Sequence, residues 1–371
     1  MGDTAPPSDT GQPTLDSLRD GIDRIDQRLV ELLNERGKLV LEIGELKRQS
    51  NSKFYVPSRE TAVFQRVAAL NTGPLPSRSL RSIFREVMSA CIALEKPITV
   101  GYLGPQGTFT HLAAQAKFGA SVDYLPNRDI TGIFRTVAAG AADLGVVPVE
   151  NSIDGGISDT LDAFMDANVQ ICSELLMAIH HCLLASSRQA SIKKIYSKPQ
   201  VFAQCGRWLS EHYGECDLVP VASTARACEV AAEEPDAGAI AHVSNAATYG
   251  LEVIHKDIED AAHNVTRFVV LGQECCTPSG RDKTSVVLSV THQAGALHEA
   301  LVPFQKHGLN LTRIESRPSK RNPWEYYFFI DFEGHRDDEP ARAALKEVHE
   351  RCIYLQILGS YPVADSLVSI E

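Results

Sequence analysis

The sequence predicts three modules in a row: an all-α helical bundle, a two-lobed α/β unit and a small βαββαβ unit. Three observations carry this. Apolar residues from Leu15 to Leu46 recur at spacings of three and four along one unbroken stretch. From Ile98 the period changes, and short apolar runs alternate with helical patterns as far as Gly272. After a polar, turn-rich segment ending at Asp282, the order becomes strand, helix, strand, strand, helix, strand. A chain of 371 residues has room for units of this number.

The opening stretch, MGDTAPPSDTGQPT, has no basic start and no hydrophobic core, so a disordered tail over 1–13 is expected rather than a signal peptide. The helical unit is expected over 14–96. Its first helix, 14–49, carries Leu15, Leu18, Ile22, Ile25, Leu29, Leu32, Leu39, Ile43 and Leu46 in a heptad seam. At ~1.5 Å per residue it is roughly 54 Å long, too long to bury its stripe alone, so a partner helix from a second copy is expected. Helices over 58–70 and 77–95 follow, separated by NTGPLP and ended by Pro97. The α/β unit is expected over 97–273. ITVGYLG, DLGVVPV, VQICSELL, IKKIY, DLVPVA, AGAIA and RFVVLG read as strands, and 129–139, 157–167, 198–212 and 223–232 as helices. That alternation predicts a mostly parallel sheet covered on both faces. A linker over 274–282 leads to the last unit, 283–371, with strands at 284–291, 309–317, 325–332 and 353–361 and helices at 295–306 and 338–349, a ferredoxin-like arrangement.

Composition narrows the function. Apolar content of 44% and charged content of 22% fit a soluble globular protein. A net charge of -11 argues against nucleic acid or anionic membrane as the main partner, and no apolar run reaches the length of a membrane span. The nine cysteines are odd in number and lack metal-ligand spacing, with Cys275-Cys276 the sole close pair. Reduced thiols, a cytoplasmic location and no metal site are expected.

The seam of the long helix has a violation. Arg36 lies seven residues from both Leu29 and Ile43, and Arg19 and Lys47 flank the same line. Arg36 and Lys47 are three turns apart, about 16 Å, so they share a face and leave room between them for a small polyanion. Arg59 and Glu60 could close that gap. LRDGIDRIDQRLVELLNERGKLVLEIGELK followed by PSRE resembles the all-helical chorismate mutase domain. The resemblance implies an intertwined helical dimer that converts chorismate to prephenate by a unimolecular Claisen rearrangement, with no cofactor. By motif it assigns Arg36 and Arg59 to substrate carboxylates, Lys47 to the ether oxygen and Glu60 to the ring hydroxyl. Arg19 would enter the other subunit's site. The sequence departs from the family at Val56, where Asp is frequent, and at Glu95, aligned with a frequent Gln. A Gln amide donates to the ether oxygen at any pH, whereas a Glu must be protonated to do so.

In the middle unit, GPQGTFTH (104–111), VPVENS (147–152), HHCLL (180–184), SKPQ (197–200) and STARA (223–227) gather hydrogen-bonding groups at strand ends and helix starts, where open α/β sheets bind ligands. Together with NVTRF (264–268) they resemble prephenate dehydratase over 98–272, with Thr-Arg-Phe as that family's catalytic signature. The implied reaction removes water and CO2 from prephenate and aromatises the ring. Hydroxide leaves poorly, so a donor must meet it. Thr266 supplies that donor, and Arg267 adds positive potential or braces the loop. Thr108, Asn151, Ser152 and Thr224 are expected in the wall of a cleft between lobes 98–177 plus 265–272 and 178–260. QAGAL (293–297) and TRIESRP (312–318) resemble the phenylalanine-binding motifs of an ACT domain. They nominate Gly295, Ala296, Leu297, Glu315, Ser316 and Arg317 for the ligand. In this order the modules resemble the bifunctional chorismate mutase–prephenate dehydratases, phenylalanine-inhibited homodimers or higher homo-oligomers. Two alternatives stay open: a dehydratase whose helical block only dimerises, and a two-lobed small-molecule sensor.

Overall fold

The computed structural model describes residues 14–50, 55–187, 191–274, 276–319 and 324–369; the expected N-terminal tail and Cys275 lie outside them. The helical module is α1 (Leu15–Ser50), α2 (Pro57–Leu70) and α3 (Ser77–Glu95). Helix α1 buries Val40 and Gly44 and half-buries Arg36, Gly37 and Lys47 on the side that meets α3. A Cβ on Gly44 would stand 3.5 Å from the Glu95 Cα, so the bare glycine sets how closely the helices approach. The leucine–isoleucine stripe is uncovered: Leu29 is 51% exposed, Ile43 45% and Leu46 63%. At roughly 100° per residue, Arg36 and Lys47 fall on the boundary between this stripe and the buried face. Arg36 is therefore a border residue, not a core one.

The middle module divides into two lobes. The first begins with β1 (Thr99–Leu103), α4 (Phe109–Phe118), β2 (Asp123–Asn127), α5 (Ile130–Ala138), β3 (Leu144–Asn151), β4 (Gly155–Gly156), α6 (Ser158–Phe164) and β5 (Gln170–Ala178). The second runs through β6 (Cys182–Ala185), β7 (Lys194–Ser197), α7 (Pro199–Gln204), α8 (Gly206–His212), β8 (Asp217–Pro220), α9 (Thr224–Glu233), β9 (Ala237–Ala241), α10 (Ser244–Tyr249) and β10 (Glu252–His255). The chain then returns to the first lobe as β11 (Val265–Gly272). Strand β11 inserts antiparallel between β5 and β3, so the sheet is mixed rather than mostly parallel. The second sheet, β10-β6-β9-β7-β8, is mixed as well. The single helix expected over 198–212 breaks at Cys205 into α7 and α8.

The third module is β12 (Asp282–Ser289), α11 (Ala296–Lys306), β13 (Leu311–Pro318), β14 (Tyr326–Glu333), α12 (Glu339–Arg351) and β15 (Tyr354–Pro362), an antiparallel sheet in the order β13-β14-β12-β15. One face packs Val286, Leu288, Ile330 and Phe332 against Phe304 and Leu345 of the helices. The other places Val287, Phe329, Leu358 and Tyr361 in one core with Ile171, Val269 and Leu271 of the first lobe. The chain ends by crossing back as β16 (Leu367–Val368), parallel to β5 at the edge of the first-lobe sheet. No described helix is long and apolar enough to cross a membrane.

Candidate active and regulatory sites

Strand β11 runs through the centre of the first lobe, so its side chains alternate between two environments. Thr266 and Arg267, expected side by side at a ligand site, point to opposite faces of the sheet. Thr266 pairs across the ladder with Asn151 at the end of β3. Asn151 Oδ1 accepts the backbone N–H groups of Ile153 at 2.9 Å and Asp154 at 3.1 Å. Its amide nitrogen must therefore face the other way, and it donates to Thr266 Oγ1 at 2.9 Å and Asn264 Oδ1 at 2.8 Å. Asn264 in turn donates to Gln204 Oε1 at 3.1 Å, and the Gln204 amide donates to Asp154 Oδ2 at 2.9 Å. His181 Nε2 lies 2.8 Å from the same Gln204 oxygen. That oxygen is an acceptor, so His181 carries its proton on Nε2, leaving a buried Nδ1 with no hydrogen-bond partner. Burial holds the imidazole below its ordinary pKa, more strongly than its contacts with Gln204 and Glu259 raise it.

This chain joins the lobes, since Gln204 belongs to α7 while Asn151, Asp154 and Asn264 belong to the first lobe. Asn245 of α10 adds a second link by donating to Gly107 O at 3.0 Å. Gly107 has φ 84, and a Cβ there would fall 2.1 Å from Asn245 Oδ1, so the Gly-rich turn is needed for lobe contact. The ring of Phe109 meets His181 at 5.6 Å and His242 at 5.8 Å. Among the other expected wall residues, Thr108 caps α4, accepting from His111 N and donating to Leu103 O. Ser152 donates to His263 O and accepts from Val265 N, which braces the entry to β11. Thr224 is buried in the first turn of α9, outside the hydrogen-bonded chain. Asn264, Gln204 and His181 were not singled out from sequence. Asn264 and His181 stand inside motifs noted there, whereas Gln204 carries no local sign.

Arg267 does not face the cleft. It is 8% exposed, and its guanidinium donates to Glu174 Oε2 at 2.8 Å, Asp331 Oδ2 at 2.6 Å and Tyr361 Oη at 2.7 Å. Two of those partners belong to the third module, so the expectation of positive potential at the reacting ring gives way to a bracing geometry. Burial alone would raise the Asp331 pKa, but Arg267 and the Ser285 hydroxyl hold it below the usual carboxylate value.

In the helical module Lys47 Nζ donates to Glu95 Oε2 at 2.7 Å, and Arg36 meets Cys91 one turn earlier on α3. Those three expected site residues lie on one α1–α3 face. Arg59 is exposed on α2. Glu60 instead accepts from Tyr55 Oη at 3.0 Å and from Lys117 Nζ of α4 at 2.9 Å, so it faces the α/β module. Arg19 is exposed near the start of α1 beside Asp16, seventeen residues from Arg36, or about 25 Å along the helix. A cavity of about 770 Å³ lies between α2, α3, α4, β5 and the C-terminal tail. Of the cations on its wall, Lys117 is opposed by Glu60, Arg81 by Asp365 and Arg85 by Glu86, and Arg78 is exposed.

At the third-module motifs, Gly295 caps α11 in the left-handed region, with φ 86, and Ala296 and Leu297 open the helix half-buried. Strand β13 splits its motif between two faces. Ser316 pairs with Phe328 and shares the helix side, whereas Glu315 and Arg317 face the first lobe. There Arg317 donates to Asp162 at 3.0 and 3.2 Å, and Glu315 approaches Gly156. Among the described residues, His180, Asp257 and Glu259 could converge on a cation. In this structure Glu259 accepts from the His181 backbone N–H and bonds the His180 ring, so the group orients the cleft histidine.

The chain matches family models for chorismate mutase type II over residues 18–96, prephenate dehydratase over 100–276 and the ACT domain over 284–350. It is 45% identical over 355 residues to the bifunctional chorismate mutase/prephenate dehydratase of Aquifex aeolicus, covering 94% of this chain and 98% of that one. The Pseudomonas aeruginosa protein of the same name is 43% identical over 95% of this chain and 99% of its own length. Among solved structures, a prephenate dehydratase from Arthrobacter aurescens in complex with L-Phe is similar at 37% identity and a TM-score of 0.67, covering 72% of this chain and 91% of that one.

Proposed function

The chain belongs to the bifunctional chorismate mutase/prephenate dehydratase family, and from that premise we propose which of its residues carry each reaction. The protein rearranges chorismate to prephenate, converts prephenate to phenylpyruvate with loss of CO2 and water, and is regulated by phenylalanine.

For dehydration, Thr266 meets the leaving ring hydroxyl. One observation supports this: the amide nitrogen of Asn151 donates to Thr266 Oγ1, so that oxygen is already an acceptor and its own proton is free to be given. As the ring C–O bond breaks, hydroxide departs with the help of that hydrogen bond. Electrons of the C–carboxylate bond pass into the ring, CO2 leaves and the ring becomes aromatic. Thr266 is a weak acid, so its contribution comes from placement. Asn264, Gln204 and His181 hold the lobes around the substrate. Thr108, Ser152 and Thr224 shape the cleft as caps and braces. The experiment is prephenate turnover by Thr266→Ala and Asn151→Asp. Thr266→Ala is expected to lose about 10²–10⁴-fold in kcat. The isosteric aspartate of Asn151→Asp accepts where asparagine donates, draws the Thr266 proton toward itself, and is expected to lose activity on a similar scale. Chorismate mutase turnover serves as the control in both variants. An active Asn151→Asp overturns the polarity assigned to Thr266.

For the rearrangement, Arg36 and Arg59 bind carboxylates, Lys47 and Glu95 serve the ether oxygen, and Glu60 holds the ring hydroxyl once it leaves Lys117. The shared α1–α3 face of Arg36, Lys47 and Glu95 supports the first part. Arg19 acts in the site of a second subunit, and the exposed α1 stripe supports a homodimer built by pairing α1 with its copy. Phenylalanine sits at the Gly295 turn, with Ala296, Leu297 and Ser316 beside it, while Glu315 and Arg317 hold β13 to the dehydratase module.

A further inference from the structure

We propose that Arg267 and Glu150 are positioning residues, through which the third module sets the geometry of Thr266 and Asn151 on the other side of the sheet. The proposal rests on the dehydratase reading of the cleft and adds the route by which regulation reaches it.

Adjacent rungs of one ladder carry both sets. Thr266 is paired with Asn151, and Arg267 with Glu150. The first rung faces the cleft and the second faces the third module. On that back face the hydrogen bonds close into a ring. Arg267 Nη2 donates to Tyr361 Oη at 2.7 Å, and Arg267 Nη1 to Asp331 Oδ2 at 2.6 Å. Ser285 Oγ donates to Asp331 Oδ1 at 2.5 Å and lies 2.6 Å from Tyr361 Oη, whose proton is then directed to Ser285. With Asp331 3% exposed and Tyr361 fully buried, water cannot replace a lost member. A shift of β14 or β15 therefore moves Arg267, and with it the next residue of the strand, Thr266.

The second rung has its own link. Glu150 Oε2 stands 3.5 Å from both Arg267 Nη1 and Arg313 Nε. Arg313 belongs to β13, three residues before Ser316 and on the opposite face. Its Nε and Nη2 are buried without a hydrogen-bond partner. Buried donors left unmade cost free energy, so a rearrangement that brings Arg313 into full contact with Glu150 or Glu315 is favoured locally. A ligand on the Ser316 face that shifts β13 chooses between the two arrangements of Arg313, which gives the ligand differential affinity for two states. Asn151, joined to Glu150 through the backbone, follows.

The test measures dehydratase kinetics, phenylalanine inhibition and calorimetric phenylalanine binding on the full-length protein and its Arg267→Lys, Tyr361→Phe, Arg313→Gln and Thr266→Ala variants. Arg267→Lys keeps the charge and loses the fork. It is expected to lower kcat tenfold or more with KM within about twofold, and to leave mutase turnover unchanged. Arg313→Gln is expected to bind phenylalanine within about threefold of wild type while its inhibition at saturation falls at least tenfold, whatever its basal rate. Tyr361→Phe removes one oxygen from the ring at constant volume. It is expected to shift kcat and inhibition together, and it decides the matter if Arg267→Lys does not fold. Normal inhibition in both Arg313→Gln and Tyr361→Phe overturns the proposal, as does an Arg267→Lys effect on KM alone, which would put the guanidinium on substrate. Thr266→Ala separates the two levels. Wild-type dehydration in that variant removes the cleft reading, whereas its loss beside unaltered back-face variants removes the coupling alone.

Discussion

At the scale of single residues, polarity of hydrogen bonds matters more than residue identity. Asn151 is useful because two backbone N–H groups fix which end of its amide faces Thr266. That relation is invisible in the sequence, where Asn151 and Ser152 of VPVENS read alike as donors in the cleft wall. NVTRF was legible as a signature, but the division of labour inside it was not. Strand alternation sends Arg267 to another module, and its partners Asp331 and Tyr361 lie more than sixty residues away. Asp331 also carries a pH dependence. Its folded pKa is lowered, because Arg267 and Ser285 outweigh burial, so its stabilising contribution is complete above the ordinary carboxylate value of about 4 and is lost as pH falls below it. Urea midpoints measured against pH are expected to show a shallower acid limb in Asp331→Asn, together with lower stability at neutral pH. An identical acid limb would place the titration elsewhere. Glu95 supports a separate expectation. The Glu95 carboxylate accepts from Lys47 at 2.7 Å, whereas a Gln amide at that position can also donate to the ether oxygen, so Glu95→Gln is expected to change mutase kcat by about tenfold or more while dehydration of added prephenate is unaltered. An unchanged mutase kcat would remove Glu95 from the site.

At the scale of elements, the helices and the third-module strands were legible because each has one clear period and one buried face. The expected helix over 295–306 is observed at Ala296–Lys306, and the strand over 353–361 at Tyr354–Pro362. Short elements with little periodicity escaped, among them β2, β4, β6, β10, α10 and β16. The sheet's mixed direction escaped as well, because a strand's own sequence does not say which way its neighbours run. For α1, the heptad pattern and the packed face proved to be different things. Val40 and Gly44 meet α3, while the stripe from Leu15 to Leu46 stays in solvent. Each such leucine gains roughly 2 kcal/mol when buried, so an uncovered stripe of this length favours pairing with a second copy. Leu29→Glu combined with Ile43→Glu is expected to halve the mass seen by sedimentation and to reduce mutase turnover at least a hundredfold, because Arg19 no longer reaches a second site. Dehydration of added prephenate should persist. Full mutase activity in a monomer would show that each chain completes its own site.

At the scale of the whole molecule, the third module is more than a sensor attached by a linker. Its helix-free face shares a core with Ile171, Val269 and Leu271, its residues close the ring around Arg267, and the chain beyond it returns as a strand on β5. Lys283 and the Ala364 backbone N–H also converge on Glu174, which is 4% exposed. Ending the chain after Arg281 would remove β16, expose the apolar back of the dehydratase sheet, and leave Arg267 and Glu174 without their partners from the third module. Breaking a buried ion pair from one side costs about 3–5 kcal/mol. Such a truncation is therefore expected to lose dehydratase activity together with phenylalanine inhibition, rather than give an active enzyme blind to its regulator. The α1–α3 contacts lie away from this face, whereas α2 and α3 lose the tail that sets Asp365 beside Arg81, so mutase turnover is expected to fall less than dehydration. Substitutions at the ligand turn give the complementary case. Gly295→Val forces a β-branched residue into φ 86, where a side chain is strained even though nothing lies within 4 Å of its Cβ. Inhibition should weaken there while the back-face contacts, and uninhibited dehydration, remain. Kinetics of the two proteins side by side distinguish a removable sensor from a module built into the catalytic fold: an active, uninhibited truncation supports the first, and an inactive truncation beside an active, poorly inhibited Gly295→Val supports the second.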